Sequence, residues 1–202
     1  MKRYVIGITG ASGGELGLRV LRPVLESGAE CHLVVSSNAF EIFKEESNID
    51  ITGHDQDEVA SKVLAYLKLD ASKARLIAWA NSNLGAPVAS GSFGVDGTFV
   101  VPCSMKSLAS IAMGYADNLI SRAADVALKE KRPLVISPRE MPFSAIHLEN
   151  MLKLSRLGAV IAPPVPAMYH KPDTIEEMYD FLAGKILDSM GIDHVLFRRW
   201  GS

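Results

Sequence analysis

Cysteine is scarce in this chain of 202 residues: Cys31 and Cys103 are the only two. That excludes a disulfide framework and a four-thiolate metal site, and it predicts a reducing, cytoplasmic compartment. Net charge is also nearly absent, at -2, so no bulk attraction for nucleic acid is expected. No stretch approaches the ~20 apolar residues of a membrane helix. The apolar run that opens the chain is too short for a signal peptide and breaks at Gly7. Repeats, low-complexity tracts and an interdomain linker are missing as well. What remains is an ordinary globular composition, 48% hydrophobic and 22% charged, long enough for one domain with a sizeable core.

Short apolar runs alternate with amphipathic segments along the chain. The pattern predicts strands at 4–9, 31–36, 75–79, 98–101, 133–137 and 159–162. Helices are expected at 17–27, 38–46, 57–69, 105–113, 117–131, 144–157 and 174–190. Asp117 is the expected N-cap of the fifth helix, Pro102 the stop of the fourth strand and Gly191 the stop of the last helix. Residues 81–96, rich in Gly, Ser, Ala and Pro, read as a long loop of the functional kind. Such alternation implies an α/β fold, a three-layer doubly wound parallel sheet of flavodoxin/Rossmann type. Ligands of these sheets bind beyond the carboxyl ends of the strands, so the turns that follow them carry the candidate chemistry.

The first such turn is Thr9-Gly10-Ala11-Ser12-Gly13-Gly14-Glu15-Leu16-Gly17. Glycines let backbone amides approach an anion, the following helix points its positive end there, and Ser12 adds a hydroxyl. The turn lacks the Gly-Lys-Ser/Thr of a P-loop. The second strand ends in Ser36-Ser37-Asn38, without the carboxylate that would hold a dinucleotide ribose. No tyrosine has lysine four residues on, which argues against a short-chain dehydrogenase. A mononucleotide whose phosphate meets neutral donors fits better.

Pro102-Cys103-Ser104-Met105-Lys106-Ser107 follows the fourth strand and opens a helix, offering a second set of amide donors. Cys103 reads as a packing residue. Pro138-Arg139-Glu140 follows the fifth strand, where the charged pair is placed to meet a ligand. Arg122, Asp125 and Lys129 share one helical face, opposite Ile120, Ala123, Ala124 and Ala127; alone this is a solvated charged face. His147-Leu148-Glu149 is half of a zinc deaminase motif, but Cys-x-x-Cys is absent, as is His-Glu-x-x-His, so no metal is expected.

Together these segments resemble the UbiX family of flavin prenyltransferases. The similarity lies in Gly7-Ile8-Thr9-Gly10-Ala11-Ser12-Gly13, in Pro87-Val88-Ala89-Ser90-Gly91-Ser92 and in Pro102-Cys103-Ser104. It is most specific from Asn118 through Arg122, Asp125 and Lys129 to Pro138-Arg139-Glu140 and His147-Leu148-Glu149-Asn150-Met151, and it ends with Pro172 and Arg199-Trp200-Gly201. The resemblance implies a flavodoxin-like domain, related to the homo-oligomeric flavin-containing cysteine decarboxylases and assembled as a dodecamer with FMN at subunit interfaces. It implies one domain over 1–202, whose C-terminal helix and tail, from about 173, pack at the active site or a subunit interface. It places FMN against Gly10, Ala11, Ser12, Ser36, Ser104, Met105, Lys106, Ser107 and Arg139. It places dimethylallyl monophosphate against Arg122, Lys129, Glu140, Tyr169 and Lys185, with Glu46, Glu140 and Ser12 as catalytic residues.

The implied reaction joins dimethylallyl to reduced FMN at N5 and then at C6, releasing phosphate without a metal. Fixed cations would stabilise that leaving group. Trp79 or Trp200 would offer a π-face to the allylic cation. The product is expected to serve a UbiD-type decarboxylase. Many relatives carry arginine where Lys185 stands, which keeps the charge and loses the fork. Two other readings stand beside it: an FMN-dependent decarboxylase acting on an aromatic acid or a peptidyl-cysteine, which has no need of clustered phosphate-binding cations, and a flavin carrier without catalysis, which needs neither Glu46 nor Glu140.

Overall fold

The computed structural model describes residues 1–199. Six parallel strands form the sheet: β1 (Arg3–Ile8), β2 (Glu30–Val35), β3 (Arg75–Ala80), β4 (Gly97–Cys103), β5 (Leu134–Pro138) and β6 (Val160–Ile161). Their order is β3-β2-β1-β4-β5-β6. The chain winds outward from β1 to β3, then returns to the centre and winds the other way. The switch point therefore lies between the carboxyl ends of β1 and β4, where an open α/β sheet leaves a crevice.

Among the described residues seven helices cover the sheet: α1 (Glu15–Glu26), α2 (Ser37–Ser47), α3 (Gln56–Leu67), α4 (Met105–Met113), α5 (Leu119–Lys129), α6 (Ala145–Arg156) and α7 (Ile175–Asp188). Strand alternation divides the core in two. Tyr4, Ile6 and Ile8 of β1 pack with α1, α3 and α7, whereas Val5 packs with α4, α5 and α6. Among the described residues no helix is long and apolar enough to cross a membrane.

Tight contact at α1 depends on Gly17. A Cβ there would lie 2.4 Å from the Val101 carbonyl oxygen and 2.7 Å from Ile8 Cδ1. Backbone cannot yield as a side-chain tip can. Gly17→Ala is therefore expected to lower stability by about 1–3 kcal/mol, read as a fall in the urea midpoint.

Two expectations need correction. β4 runs through Pro102 to Cys103, because its pairing with β5 shifts register between Val100 and Cys103 and the ladder does without the missing N–H. α5 begins at Leu119, and its N-cap is Asn118, not Asp117. The Asn118 side chain accepts from Ser121 N at 3.0 Å in a capping box, while the Asp117 carboxylate is occupied by Asn118 Nδ2 at 2.8 Å. The 81–96 segment contains two single 3₁₀ turns, Pro87–Ala89 and Gly91–Phe93, and buries Val88 and Val95. Other element ends differ by a few residues at most; α7 stops at Asp188, just ahead of Gly191.

Candidate active site

Three helix N-termini meet at the switch point. α1 starts from the glycine turn after β1, α2 from Ser36 after β2, and α4 from Ser104 after β4. The turns are tied together by Thr9: its Oγ1 donates to the Pro102 carbonyl at 2.9 Å and accepts from Ser104 N at 2.7 Å. Gly10 abuts the start of α2 so closely that a Cβ would lie 2.5 Å from Asn38 Cβ. That contact brings Gly10, Ala11 and Ser12 beside Ser36.

The donors there are largely unused. The amides of Gly10, Ser12 and Gly14 make no hydrogen bond among the described residues. Ser36 caps α2 by position only: its hydroxyl makes no cap bond and is buried without a partner. A buried hydroxyl left open in this way is unfavourable unless a ligand completes it. With the positive end of an 11-residue helix behind it, the complement is an anion such as a phosphate. Ser36 thus offers an open donor beside Gly10, Ala11 and Ser12. Gly13 differs, because its N–H donates to Glu46 Oε2 at 2.7 Å. Glu46, 33 residues away in sequence, therefore closes the turn with a carboxylate of the chain's own.

Next to this nest is a cavity of about 340 Å³. Ser12, Gly13, Pro102 and Arg139 line one side, and Ile175, Met178, Tyr179 and Leu182 of α7 line the other. The Arg139 backbone is anchored to the Cys103 carbonyl at 3.0 Å, and its guanidinium makes no hydrogen bond or ion pair among the described residues. Ser104 holds the first turn of α4 through Ser107, accepting from its amide at 3.3 Å. Met105 and Ser107 are half-buried there and Lys106 is exposed. Cys103 is fully buried, which pushes its thiol pKa up and suits packing, not nucleophilic attack.

The Flavoprotein family model matches residues 1–187. The flavin prenyltransferase UbiX of Methanocaldococcus jannaschii is 46% identical over 99% of both chains. The chain belongs to the UbiX family of flavin prenyltransferases. Two solved UbiX structures share its fold over its whole length. One, described as AnUbiX (PadA1) in complex with FMN and dimethylallyl pyrophosphate, is 43% identical with a TM-score of 0.86 and is covered over 98% of its chain. The other, a dodecameric FMN-dependent UbiX-like decarboxylase from Escherichia coli O157:H7, is 42% identical with a TM-score of 0.85 and is covered completely.

In this UbiX chain the residues expected around the prenyl phosphate do not share one place. Arg122 and Lys129 lie on α5, packed on the Val5 side of the sheet. Arg122 Nε donates to the Ala89 carbonyl at 3.0 Å and Nη1 pairs with Asp125 at 2.7 Å, which leaves Nη2 without a bond among the described residues. Lys129 pairs with Glu130. Tyr169 and Lys185 lie on the opposite side, around α7: the Tyr169 ring meets Phe181 edge-on at 5.7 Å, and Lys185 pairs with Asp188 at 3.7 Å. Glu140 is exposed at the end of β5, where its carboxylate accepts from Met141 N at 3.0 Å. The sheet lies between the two cation groups.

Trp79 is no part of the cavity lining. Its indole N–H donates to His32 Nδ1 at 3.0 Å on the edge strand side. Trp200 and Gly201 lie outside the described residues. Among the described residues no cluster of three or more His, Cys, Asp or Glu is placed to hold a metal ion.

Thr9 and Tyr179 escaped the sequence reading. Thr9 was legible as the start of the glycine turn, but its bond to Ser104 N was not. Tyr179 carried one usable signal: in a parallel α/β fold the first turn of every helix lies at the ligand-binding edge.

Proposed function

We propose that this protein prenylates reduced FMN with dimethylallyl monophosphate, making prenylated FMN for a UbiD-type decarboxylase. The observation that carries the cofactor is the Ser36 hydroxyl, buried and without a partner among the described residues, at the start of α2 against the Gly10 turn. Ser36, Gly10, Ala11 and Ser12 hold the nucleotide, with the Ser104–Ser107 turn beside it and the Arg139 guanidinium, which makes no ion pair among the described residues. When bound, reduced FMN would supply two nucleophilic positions, N5 to displace phosphate from C1 of the prenyl group and C6 to bond the alkene end of that group and close a further ring.

The chain's own residues do the rest. Arg122 and Lys129 grip the phosphate and stabilise the charge that grows on it as the carbon–oxygen bond breaks. Tyr169 and Lys185 reach the same phosphate from another copy of the chain, since the sheet separates them from Arg122 within one protomer. A dodecamer of the kind described for the Escherichia coli relative supports that arrangement. In such an assembly α7 and the tail that follows it lie at a subunit interface. Glu140 returns a proton to the departing phosphate, and Glu46 moves protons at the flavin edge. Two buried thiols, with no helix long and apolar enough to cross a membrane among the described residues, accord with a cytoplasmic setting.

The test is incubation with reduced FMN and dimethylallyl phosphate, followed by mass spectrometry of the released flavin. A gain of one isoprenyl unit is expected. Unaltered flavin, together with loss of carbon dioxide from an aromatic acid or a peptidyl-cysteine, would favour the decarboxylase reading instead.

A further inference from the structure

The cavity wall opposite the glycine turn contains a polar group with no structural task. Tyr179 is half-buried in the first turns of α7, and its hydroxyl makes no hydrogen bond among the described residues. That oxygen lies 3.6 Å from where a Cβ on Gly13 would be, so it points at the surface of the turn. Gly13 itself adopts φ +85°, which keeps the position bare.

The ring is held firmly. The Arg19 guanidinium lies over it at 5.6 Å from the centroid. Arg19 in turn pairs with Asp180 at 2.7 Å and Glu15 at 2.8 Å, and donates to the Glu176 carbonyl at 3.2 Å. This three-way clamp joins α1 to the start of α7 and fixes where the phenol points. Here the hydroxyl is aimed into a largely apolar recess, beside Ser12 and Arg139.

We propose that Tyr179 is a further binding residue of this site, donating a hydrogen bond to an oxygen of the FMN seated on the glycine turn. The inference rests on the FMN reading given above. The group stays a donor at neutral pH. Burial raises its pKa above the ordinary phenol value, Glu15 and Glu46 add to the rise, and Arg19 and Arg139 oppose it without reversing it.

Flavin fluorescence quenching tests this directly, with FMN and riboflavin titrated separately into wild type and Tyr179→Phe. Phenylalanine keeps the ring beneath Arg19, so equal urea midpoints are expected. The dissociation constant for FMN is expected to rise about three- to tenfold. An equal rise for riboflavin places the contact on the ring or ribityl chain, and a rise for FMN alone places it on the phosphate; either supports the assignment. Equal FMN affinities of wild type and Tyr179→Phe would overturn it while leaving the FMN site intact. A wild type that takes up no FMN would instead sink the reading of the site as a whole.

Discussion

Glu46→Gln is expected to bind FMN within about threefold of wild type while forming the cyclised flavin product about 10²–10⁴ times more slowly. The two halves of that expectation have separate causes. Glutamine keeps a carbonyl oxygen that can accept from Gly13 N as Glu46 Oε2 does at 2.7 Å, so the turn keeps its shape. What the amide loses is the ability to take up and release a proton. The exposed carboxylate makes no ion pair among the described residues, so no other charge is stranded. Single-turnover assays with chromatographic separation of the flavin products provide the check. Product formation at the wild-type rate would remove Glu46 from proton transfer and leave it as a clasp on the glycine turn.

Arg122→Met is expected to lower kcat/KM for dimethylallyl phosphate by about 10²–10³-fold, with FMN affinity unchanged. Two of its nitrogens are committed to Ala89 O and Asp125, which holds the planar group in one orientation with Nη2 available. A guanidinium pre-positioned in this way, with Nη2 open, would stabilise the charge developing on phosphate without reorganising. Lysine at this place would keep the charge and lose the bonds to Ala89 and Asp125 that orient the group, so Arg122→Lys should recover only part of the rate. The fold should tolerate the change: the Arg122–Asp125 pair is about one-third exposed, where an ion pair adds little stability. Steady-state rates at varied prenyl phosphate, alongside FMN titrations, separate the outcomes. Unchanged kinetics would take Arg122 out of the phosphate site.

Most of the element order was legible from pattern alone, for a physical reason. A buried parallel strand must be continuously apolar, and a covering helix must repeat its apolar residues near every fourth position; both are local. The places where pattern misled are those settled by partners. Pro102 looks like a strand end until the register shift at β4 makes room for it. Asp117 and Asn118 are equally good caps in isolation, and the reciprocal bond with Ser121 decides between them.

The candidate site divides along the same line. Glycines, serines and charges standing directly after strands could be picked out from the order of residues, because every parallel strand delivers its following turn to one edge of the sheet. Their convergence could not. Glu46 reaches Gly13, Thr9 ties Ser104 to the first turn, and Tyr179 faces that turn from the last helix only because the strand order puts β1 beside both β2 and β4. The separation of Arg122 and Lys129 from Tyr169 and Lys185 is likewise a property of the layers. Chain order says which side chains exist to bind a phosphate. The choice of sheet face, made by packing between segments far apart in the chain, says which of them one protomer can bring together.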